Sequence, residues 1–202
     1  MGSLPEAALR IQLLQAARRA DREGLVAASL GNLSVRCPNR PERFLITPSG
    51  VPYARMRSGD IVAMDVDGTG QSAPGEPEPS SEWRVHAAIY RLRSDVQAII
   101  HTHALHAQAF SFRDRPLATG TEELAVFVGG DVPVAAYAPS GTDALAEQAA
   151  RALADRQAVL LARHGTVSVG RTLEAAYGVT QIVERQAHLA WLLDAASDHG
   201  QH

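Results

Sequence analysis

Apolar residues recur along the chain with helical spacing near both ends, and these patterns predict the first and last helices. Between Pro5 and about Gly24 the apolar positions repeat every three or four residues, with a proline at the start and a glycine at the end. A second long apolar stripe predicts a helix from Thr172 to about Ala195. We expect residues 196–202 to form a frayed tail.

Shorter apolar runs bounded by Gly, Asn or Pro predict strands between these helices. The runs are Ser34 to Arg36, Phe44 to Thr47, Ile61 to Asp65, Val96 to His103, Pro133 to Tyr137, Ala158 to His164 and Thr166 to Val169. Ser80 and Ser81 predict the N-cap of a helix with Glu82 in its first turn, and Thr142 predicts the cap of a helix from Asp143 to Arg156. Because helices and strands alternate without a regular βαβ rhythm, the pattern indicates a layered α/β domain with a mixed or antiparallel sheet.

Composition narrows the class of protein. The 202 residues, 46% apolar and 20% charged, predict one compact domain over residues 1–202. The net charge of -3, without blocks of like charge, argues against nucleic-acid or membrane partners. No apolar run approaches the ~18 residues of a membrane span, and the one cysteine, Cys37, excludes an intrachain disulfide framework. We therefore expect a cytoplasmic protein.

All 19 basic residues are arginine, so the chain has no lysine. Catalysis through a lysine Schiff base, attachment of pyridoxal phosphate and a P-loop lysine are therefore excluded.

Histidines and one acidic residue are candidates for a metal site. His101 and His103 are two residues apart at the end of a predicted strand, so both imidazoles can point to the same face. His164 and Glu82 would complete a tetrahedral set of three nitrogens and one oxygen, with Zn–N distances of about 2.0–2.1 Å. Taken singly, each residue is equally typical of a strand end, a turn or a helix start, and sequence spacing does not show that the four converge.

Three pairs of small or polar residues are candidates for an anion site. Gly31–Asn32, Ser49–Gly50 and Ser80–Ser81 each place a loop or helix start where backbone N–H groups can bind a phosphate. Each pair is also typical of an ordinary turn or cap.

Six segments, taken together in this order and spacing, resemble the class II aldolase/adducin head family. The segments are GNLSVR, ITPSGVPY, PSSEWRVH, IIHTHALHAQAFS, YAPSGT and LLARHGTVSVG. The resemblance extends from about Pro5 to Leu193 and is strongest to the L-fuculose-1-phosphate aldolase branch. It implies a three-layer α/β/α fold with a central, mainly antiparallel sheet, and a homotetramer with active sites at subunit interfaces.

The resemblance also implies roles for individual residues. The family's metal ligands match Glu82, His101, His103 and His164, which would hold Zn²⁺ or another divalent transition metal. The residues implied to bind the phosphate of a sugar phosphate are Gly31, Asn32, Ser49, Gly50, Ser80 and Ser81. His86 and His106 are expected to orient the metal ligands.

The reaction implied by the resemblance is the reversible cleavage of a ketose 1-phosphate to dihydroxyacetone phosphate and an aldehyde. A divalent metal would stabilise the enediolate, a route that needs no lysine. Glu82 would leave the metal when substrate binds and then carry the C3 proton.

One position departs from the branch to which the chain is most similar. That branch has a tyrosine before its Gly-Gly turn, whereas this chain has Glu123, six residues before Gly129. Glu123 is a candidate acid/base, and the exchange leaves open a decarboxylase, a dehydratase or an epimerase on the same scaffold. A non-catalytic, adducin-like interaction module is a further alternative.

Overall fold

The computed structural model describes residues 4–70, 75–118 and 120–199, and a seven-stranded sheet lies at its centre. The strands are β1 (Asn32–Cys37), β2 (Arg40–Ile46), β3 (Val62–Asp65), β4 (Ala98–Thr102), β5 (Val134–Ala135), β6 (Ala158–Leu161) and β7 (Gly165–Gly170). The α-helices are α1 (Glu6–Arg22), α2 (Trp83–Leu92), α3 (Leu105–Phe110), α4 (Asp143–Leu153) and α5 (Leu173–His199). A 3-10 turn spans Ser58–Asp60 and a π-helical segment spans Leu124–Val128.

The strand order is β3-β2-β1-β4-β7-β6-β5, so β4 lies at the middle of the sheet. All neighbouring strands run antiparallel except β5 and β6, which are parallel. This confirms the expected mainly antiparallel sheet.

Helices cover both faces of the sheet. Helices α2 and α4 pack on the face that includes Ile99. Helices α1, α3 and α5 pack on the opposite face, which includes Ile100. Because successive side chains of a strand point to opposite faces, β4 contributes to both cores. The three-layer α/β/α arrangement is therefore confirmed.

Several boundaries differ from the sequence prediction. Strand β4 ends at Thr102, so His103 lies just beyond it. Strand β6 ends at Leu161, because the His164 N–H bonds the Leu161 carbonyl at 3.0 Å and turns the chain. In the turn-rich stretch 67–79, residues 71–74 lie outside the described part of the chain.

Helix α5 extends to His199, into the segment for which we expect a frayed tail, and residues 200–202 lie outside the described range. Within that range, none of the helices combines the length and the hydropathy needed to cross a bilayer.

Candidate metal centre

The four predicted metal ligands converge at one end of the sheet. Glu82 directly precedes α2, and His164 lies in the turn between β6 and β7. His101 lies near the end of β4, and His103 directly follows that strand. Strand β7 pairs with β4, which brings that turn to the two β4 histidines. One ligand atom from each of the four residues lies within 4.8 Å of the others.

The separations between ligand atoms suit a single ion. Nε2 of His101 lies 3.0 Å from Nε2 of His103 and 3.1 Å from Oε2 of Glu82. Nε2 of His164 lies 3.3 Å from Oε1 of Glu82. A tetrahedral ion with ligand bonds of about 2.0–2.1 Å holds neighbouring ligand atoms about 3.3–3.4 Å apart. The cluster is therefore a good candidate for binding a divalent metal.

Neighbouring groups fix the orientation of the imidazoles. Nδ1 of His101 donates to the Thr166 carbonyl at 3.0 Å, which leaves Nε2 free to face Glu82. The His164 backbone is held by α3 and the residue that follows it. Gln108 donates to the His164 carbonyl at 3.0 Å, and the His164 N–H donates to Ser111 Oγ at 3.2 Å.

Two glycines allow the close backbone approach that the cluster needs. A Cβ on Gly165 would lie 2.4 Å from the Thr102 carbonyl oxygen, and one on Gly31 would lie 2.6 Å from the His101 carbonyl oxygen. Gly31 also has a φ of 100°, which a residue with a side chain rarely adopts. A side chain at either position would push β1 or β7 away from β4.

Glu82 has more polar contacts than any simple helix cap requires. Its carboxylate accepts from Asn32 Nδ2 at 3.2 Å and from Ser140 Oγ at 2.8 Å, besides facing two imidazoles. Burial opposes ionisation of Glu82, but His101, His164 and the Ser140 hydroxyl lower its pKa well below the usual range. The buried carboxylate is therefore charged at neutral pH.

The predicted cap of α2 was wrong in detail. The helix begins at Trp83, so Glu82 is at the N-cap position instead of in the first turn, and its side chain caps no backbone N–H. Ser80 Oγ accepts from the Glu82 N–H at 3.3 Å. The carboxylate is occupied by the cluster, which explains why it does not serve the helix.

Two imidazoles of the cluster, those of His103 and His164, are held in the neutral form. Burial, together with the neighbouring His101 and His164, lowers the pKa of His103 to about 4. Burial also lowers the pKa of His164. Neutral imidazole and ionised carboxylate are the forms that bind a metal.

The three predicted phosphate-binding pairs lie at the same end of the sheet. Gly31–Asn32 enters β1 beside His101, and Ser80–Ser81 directly precedes Glu82. The Ser49 N–H bonds the Glu78 carbonyl at 2.9 Å, which brings Ser49–Gly50 beside the Ser80 segment. Ser80 is buried, whereas Ser49, Gly50 and Ser81 are exposed.

Two other candidates lie apart from the cluster in this chain. Glu123 is exposed and precedes the π-helical segment, beside the exposed side chains of Val126 and Phe127. His106 donates from Nδ1 to Glu184 Oε1 at 2.7 Å and stacks on His188, with ring centroids 4.0 Å apart. His106 is therefore oriented towards α5 and does not contact the metal ligands.

Sequence reasoning missed the part that Ser140 plays. Ser140 belongs to the YAPSGT segment and reaches Glu82 from 58 positions away. A hydroxyl next to a glycine in a loop was the signal, but such residues are common in turns.

The comparisons with known proteins agree with this geometry. The sequence model described as "Class II Aldolase and Adducin N-terminal domain" matches residues 11–191. The match covers most of the chain, and the chain belongs to that family.

Particular relatives are named aldolases. A protein of Rhodospirillum rubrum named 5-methylthioribulose-1-phosphate/5-deoxyribulose-1-phosphate aldolase is 41% identical over 184 residues, 91% of this chain and 80% of the relative. The L-fuculose phosphate aldolase of Escherichia coli K12 is 38% identical over 178 residues, 88% of this chain and 80% of that protein. A solved structure named L-fuculose 1-phosphate aldolase superposes with a TM-score of 0.87 at 35% identity, covering 93% of this chain and 87% of the other.

Proposed function

We propose that this protein is a metal-dependent aldolase that reversibly cleaves a ketose 1-phosphate to dihydroxyacetone phosphate and an aldehyde. The observation that carries the proposal is the buried Glu82 carboxylate, which lies within 3.3 Å of imidazole nitrogens of both His101 and His164. Relatives named for fuculose phosphate and for deoxyribulose phosphate support a substrate of this class.

Zn²⁺ is the metal we propose for the site. Three imidazoles and one carboxylate are a donor set that zinc prefers. The separations of 3.0, 3.1 and 3.3 Å between ligand atoms are close to those around a tetrahedral ion. A bound divalent ion polarises a carbonyl and stabilises the negative charge that develops beside it when a carbon–carbon bond breaks.

Glu82 is the proposed general base and acid. Its two oxygens have hydrogen-bond donors in Asn32 and Ser140, so the carboxylate is held in place by residues of this chain other than the three histidines. In cleavage the C4 hydroxyl loses a proton as the C3–C4 bond breaks, and Glu82 in its protonated form gives one proton to C3. In synthesis the ionised Glu82 removes that proton from C3, and the new C4 oxygen gains one.

The phosphate of the substrate is proposed to bind to the three loop segments at the same end of the sheet. The proposed contacts are Gly31, Asn32, Ser49, Gly50, Ser80 and Ser81. The sequence contains no lysine, so backbone N–H groups and hydroxyls are the donors expected there.

The proposed assembly is a homotetramer with active sites at subunit interfaces. Val126 and Phe127 are 73% and 53% exposed on the same short segment as Glu123, and apolar exposure of this kind is typical of an interface. In such an assembly Glu123 would reach the metal centre of a neighbouring subunit. A cytoplasmic location remains a prediction.

Two alternatives are ranked lower. Decarboxylation, dehydration or epimerisation on the same scaffold remains an alternative because Glu123 replaces the tyrosine of the branch that the chain resembles. A non-catalytic, adducin-like module needs no metal ligands, and the convergence of all four argues against it.

The decisive test is a set of ketose 1-phosphates that includes fuculose 1-phosphate and 5-deoxyribulose 1-phosphate. We expect the zinc-loaded protein to release dihydroxyacetone phosphate, measured with a coupled dehydrogenase. Glu82→Gln should lose at least about a hundredfold in kcat, the usual share of a general acid/base, while folding normally. Loss of water or CO₂ without release of dihydroxyacetone phosphate would overturn the proposal.

A further inference from the structure

A string of buried polar side chains extends from Glu82 into the core between α2 and β1. Glu82, His86 and Tyr90 are spaced four residues apart, so they share one face of the helix. Asn32 and Ser34 are two residues apart in β1 and therefore share one face of the strand. All five side chains are buried, and His86 and Ser34 are 0% exposed.

The five residues form a continuous hydrogen-bonded chain. Tyr90 Oη lies 2.8 Å from Ser34 Oγ, and Ser34 Oγ lies 2.6 Å from Nδ1 of His86. Nε2 of His86 is hydrogen-bonded to Oδ1 of Asn32, and Nδ2 of Asn32 donates to Oε2 of Glu82 at 3.2 Å. None of these five hydrogen-bonded side chains is exposed to solvent.

The end at Glu82 fixes the direction of every hydrogen bond. An ionised carboxylate can only accept, so Asn32 must present its NH₂ group to Glu82 and its oxygen to His86. His86 must then carry its proton on Nε2. Burial lowers the pKa of His86 to about 3, so the ring is neutral and Nδ1 is an acceptor. Ser34 therefore donates to Nδ1, and Tyr90 donates to Ser34.

We propose that Tyr90, Ser34, His86 and Asn32 act as positioning residues that together hold the Glu82 carboxylate towards the three histidines. Each hydroxyl, ring or amide donates towards Glu82, so the dipoles along the chain add at the carboxylate. The single tautomer of His86 sets this direction, because the other neutral tautomer cannot donate to Asn32.

This arrangement gives Asn32 a second role. Its Oδ1 accepts from His86 and one N–H of Nδ2 donates to Glu82, so the second N–H of that amide is the side-chain donor left for a substrate phosphate. The effect of the chain on turnover rests on the proposed aldolase function, whereas its direction and its effect on metal binding do not.

The direction can be measured in the metal-free protein. Histidines labelled with ¹⁵N are observed by NMR at pH 7, and the His86 signals are assigned by their loss in His86→Gln. We expect the proton of His86 on Nε2 and a second, unprotonated nitrogen at Nδ1. A proton on Nδ1, or a doubly protonated ring, would overturn the proposal.

Variants test whether the hydrogen-bonded chain of side chains supports metal binding by Glu82. His86→Leu removes the donor to Asn32 and should weaken zinc binding, measured against a chromophoric chelator, by about 10–100-fold. His86→Gln keeps a side-chain N–H at a similar position and should recover most of the affinity. A purely structural role for His86 would lower the melting temperature of His86→Leu but leave the zinc affinity of the folded protein unchanged, which would contradict the proposal.

Ser34→Ala provides a second variant should His86→Leu fail to fold. It deletes the donor to Nδ1, so part of the His86 population should move its proton to Nδ1, and zinc binding should weaken. If both the tautomer of His86 and the zinc affinity are unchanged in Ser34→Ala, the proposed positioning role is contradicted.

Kinetics separate this inference from the proposed function. With an active ketose 1-phosphate, His86→Leu should lower kcat more than it changes KM, because Glu82 acts in the chemical step. If no substrate is cleaved but the NMR and zinc results hold, the positioning chain stands and the proposed reaction fails.

Discussion

Nδ1 of His101 donates to the carbonyl oxygen of Thr166 at 3.0 Å across the β4–β7 pair. A hydrogen bond of the central sheet thus selects the tautomer whose Nε2 faces Glu82. The sheet therefore holds His101 in the orientation that metal binding requires.

We predict that His101→Ala abolishes metal binding. The purified protein should hold about one zinc ion per chain, because three imidazoles and one carboxylate can bind one ion, and the variant should hold almost none. His188→Ala is the matched control, because His188 stacks on His106 outside the cluster. The zinc content is measured by atomic emission on protein that has never been exposed to a chelator. Equal zinc contents in the two variants would contradict the assigned site.

Ser140→Ala removes one of the hydrogen bonds that lower the pKa of Glu82. We expect kcat to fall about tenfold, equivalent to about 1.4 kcal/mol. The acidic limb of the pH–rate profile should move to higher pH, because the carboxylate becomes easier to protonate. Ser197→Ala in α5 is the control, since that hydroxyl donates to the Leu193 carbonyl at 2.9 Å within the same helix. An acidic limb at the same pH as in the unmodified enzyme would rule out this role.

Gly165→Ala tests the close approach of β7 to β4. The new Cβ would lie 2.4 Å from the Thr102 carbonyl oxygen and 3.2 Å from Cδ2 of His103. We expect the free energy of unfolding to fall by about 1–3 kcal/mol and zinc binding to weaken. Gly178→Ala should instead raise it by about 0.5–1 kcal/mol, since Gly178 lies within α5 with open space around it. Urea unfolding distinguishes these opposite signs.

Glu123→Gln tests whether the exposed carboxylate serves a neighbouring subunit. We expect kcat to fall by at least about a hundredfold, as for a lost acid/base, with zinc content unchanged. Glu122→Gln, one residue earlier and equally exposed, should be nearly neutral. If each active site is shared between two subunits, the Glu123→Gln protein and the His101→Ala protein can be refolded together to form mixed oligomers. These mixed oligomers should recover part of the activity. If Glu122→Gln and Glu123→Gln have equal activities, Glu123 is not an acid/base of the reaction.

The metal-free protein should lose stability below about pH 6.5. Burial lowers the pKa of folded His86 to about 3. The unfolded chain keeps the ordinary value of about 6.5 and therefore binds a proton that the folded chain does not. Stability consequently falls as the pH drops from 6.5 towards 3, and the lowered pKa values of His103 and His164 act in the same direction.

Urea unfolding at pH 7 and pH 5, with chelator present, measures this loss of stability. The loss should be smaller in His86→Gln, which has no ring to protonate. Glu82 contributes mainly below its unfolded pKa of about 4.3 and so has little influence on this comparison. An identical loss in both proteins would contradict the assignment to His86.

Local signals predicted local structure well. Thr142 caps α4 as expected, accepting from the Leu145 N–H at 3.2 Å, because both partners lie within one turn of chain. The start of α2 was harder to predict. Ser80, Ser81 and Glu82 all suit a helix start. In the structure Glu82 is at the N-cap position, and its carboxylate faces His101 and His164 instead of a backbone N–H.

The sequence by itself determined the positions of the strands and of four of the five described α-helices, α3 being missed. It also determined the exclusion of lysine chemistry and the residue types of the metal site. It also carried the family resemblance, because six short segments keep their order along the chain. Only the tertiary structure decided which side chains meet. Asn32 and Ser140 reach Glu82 across 50 and 58 positions. Ser140 precedes α4, which packs against α2, and Asn32 belongs to β1, which pairs with β4. Contacts at such separations follow from packing of the whole domain and not from local sequence.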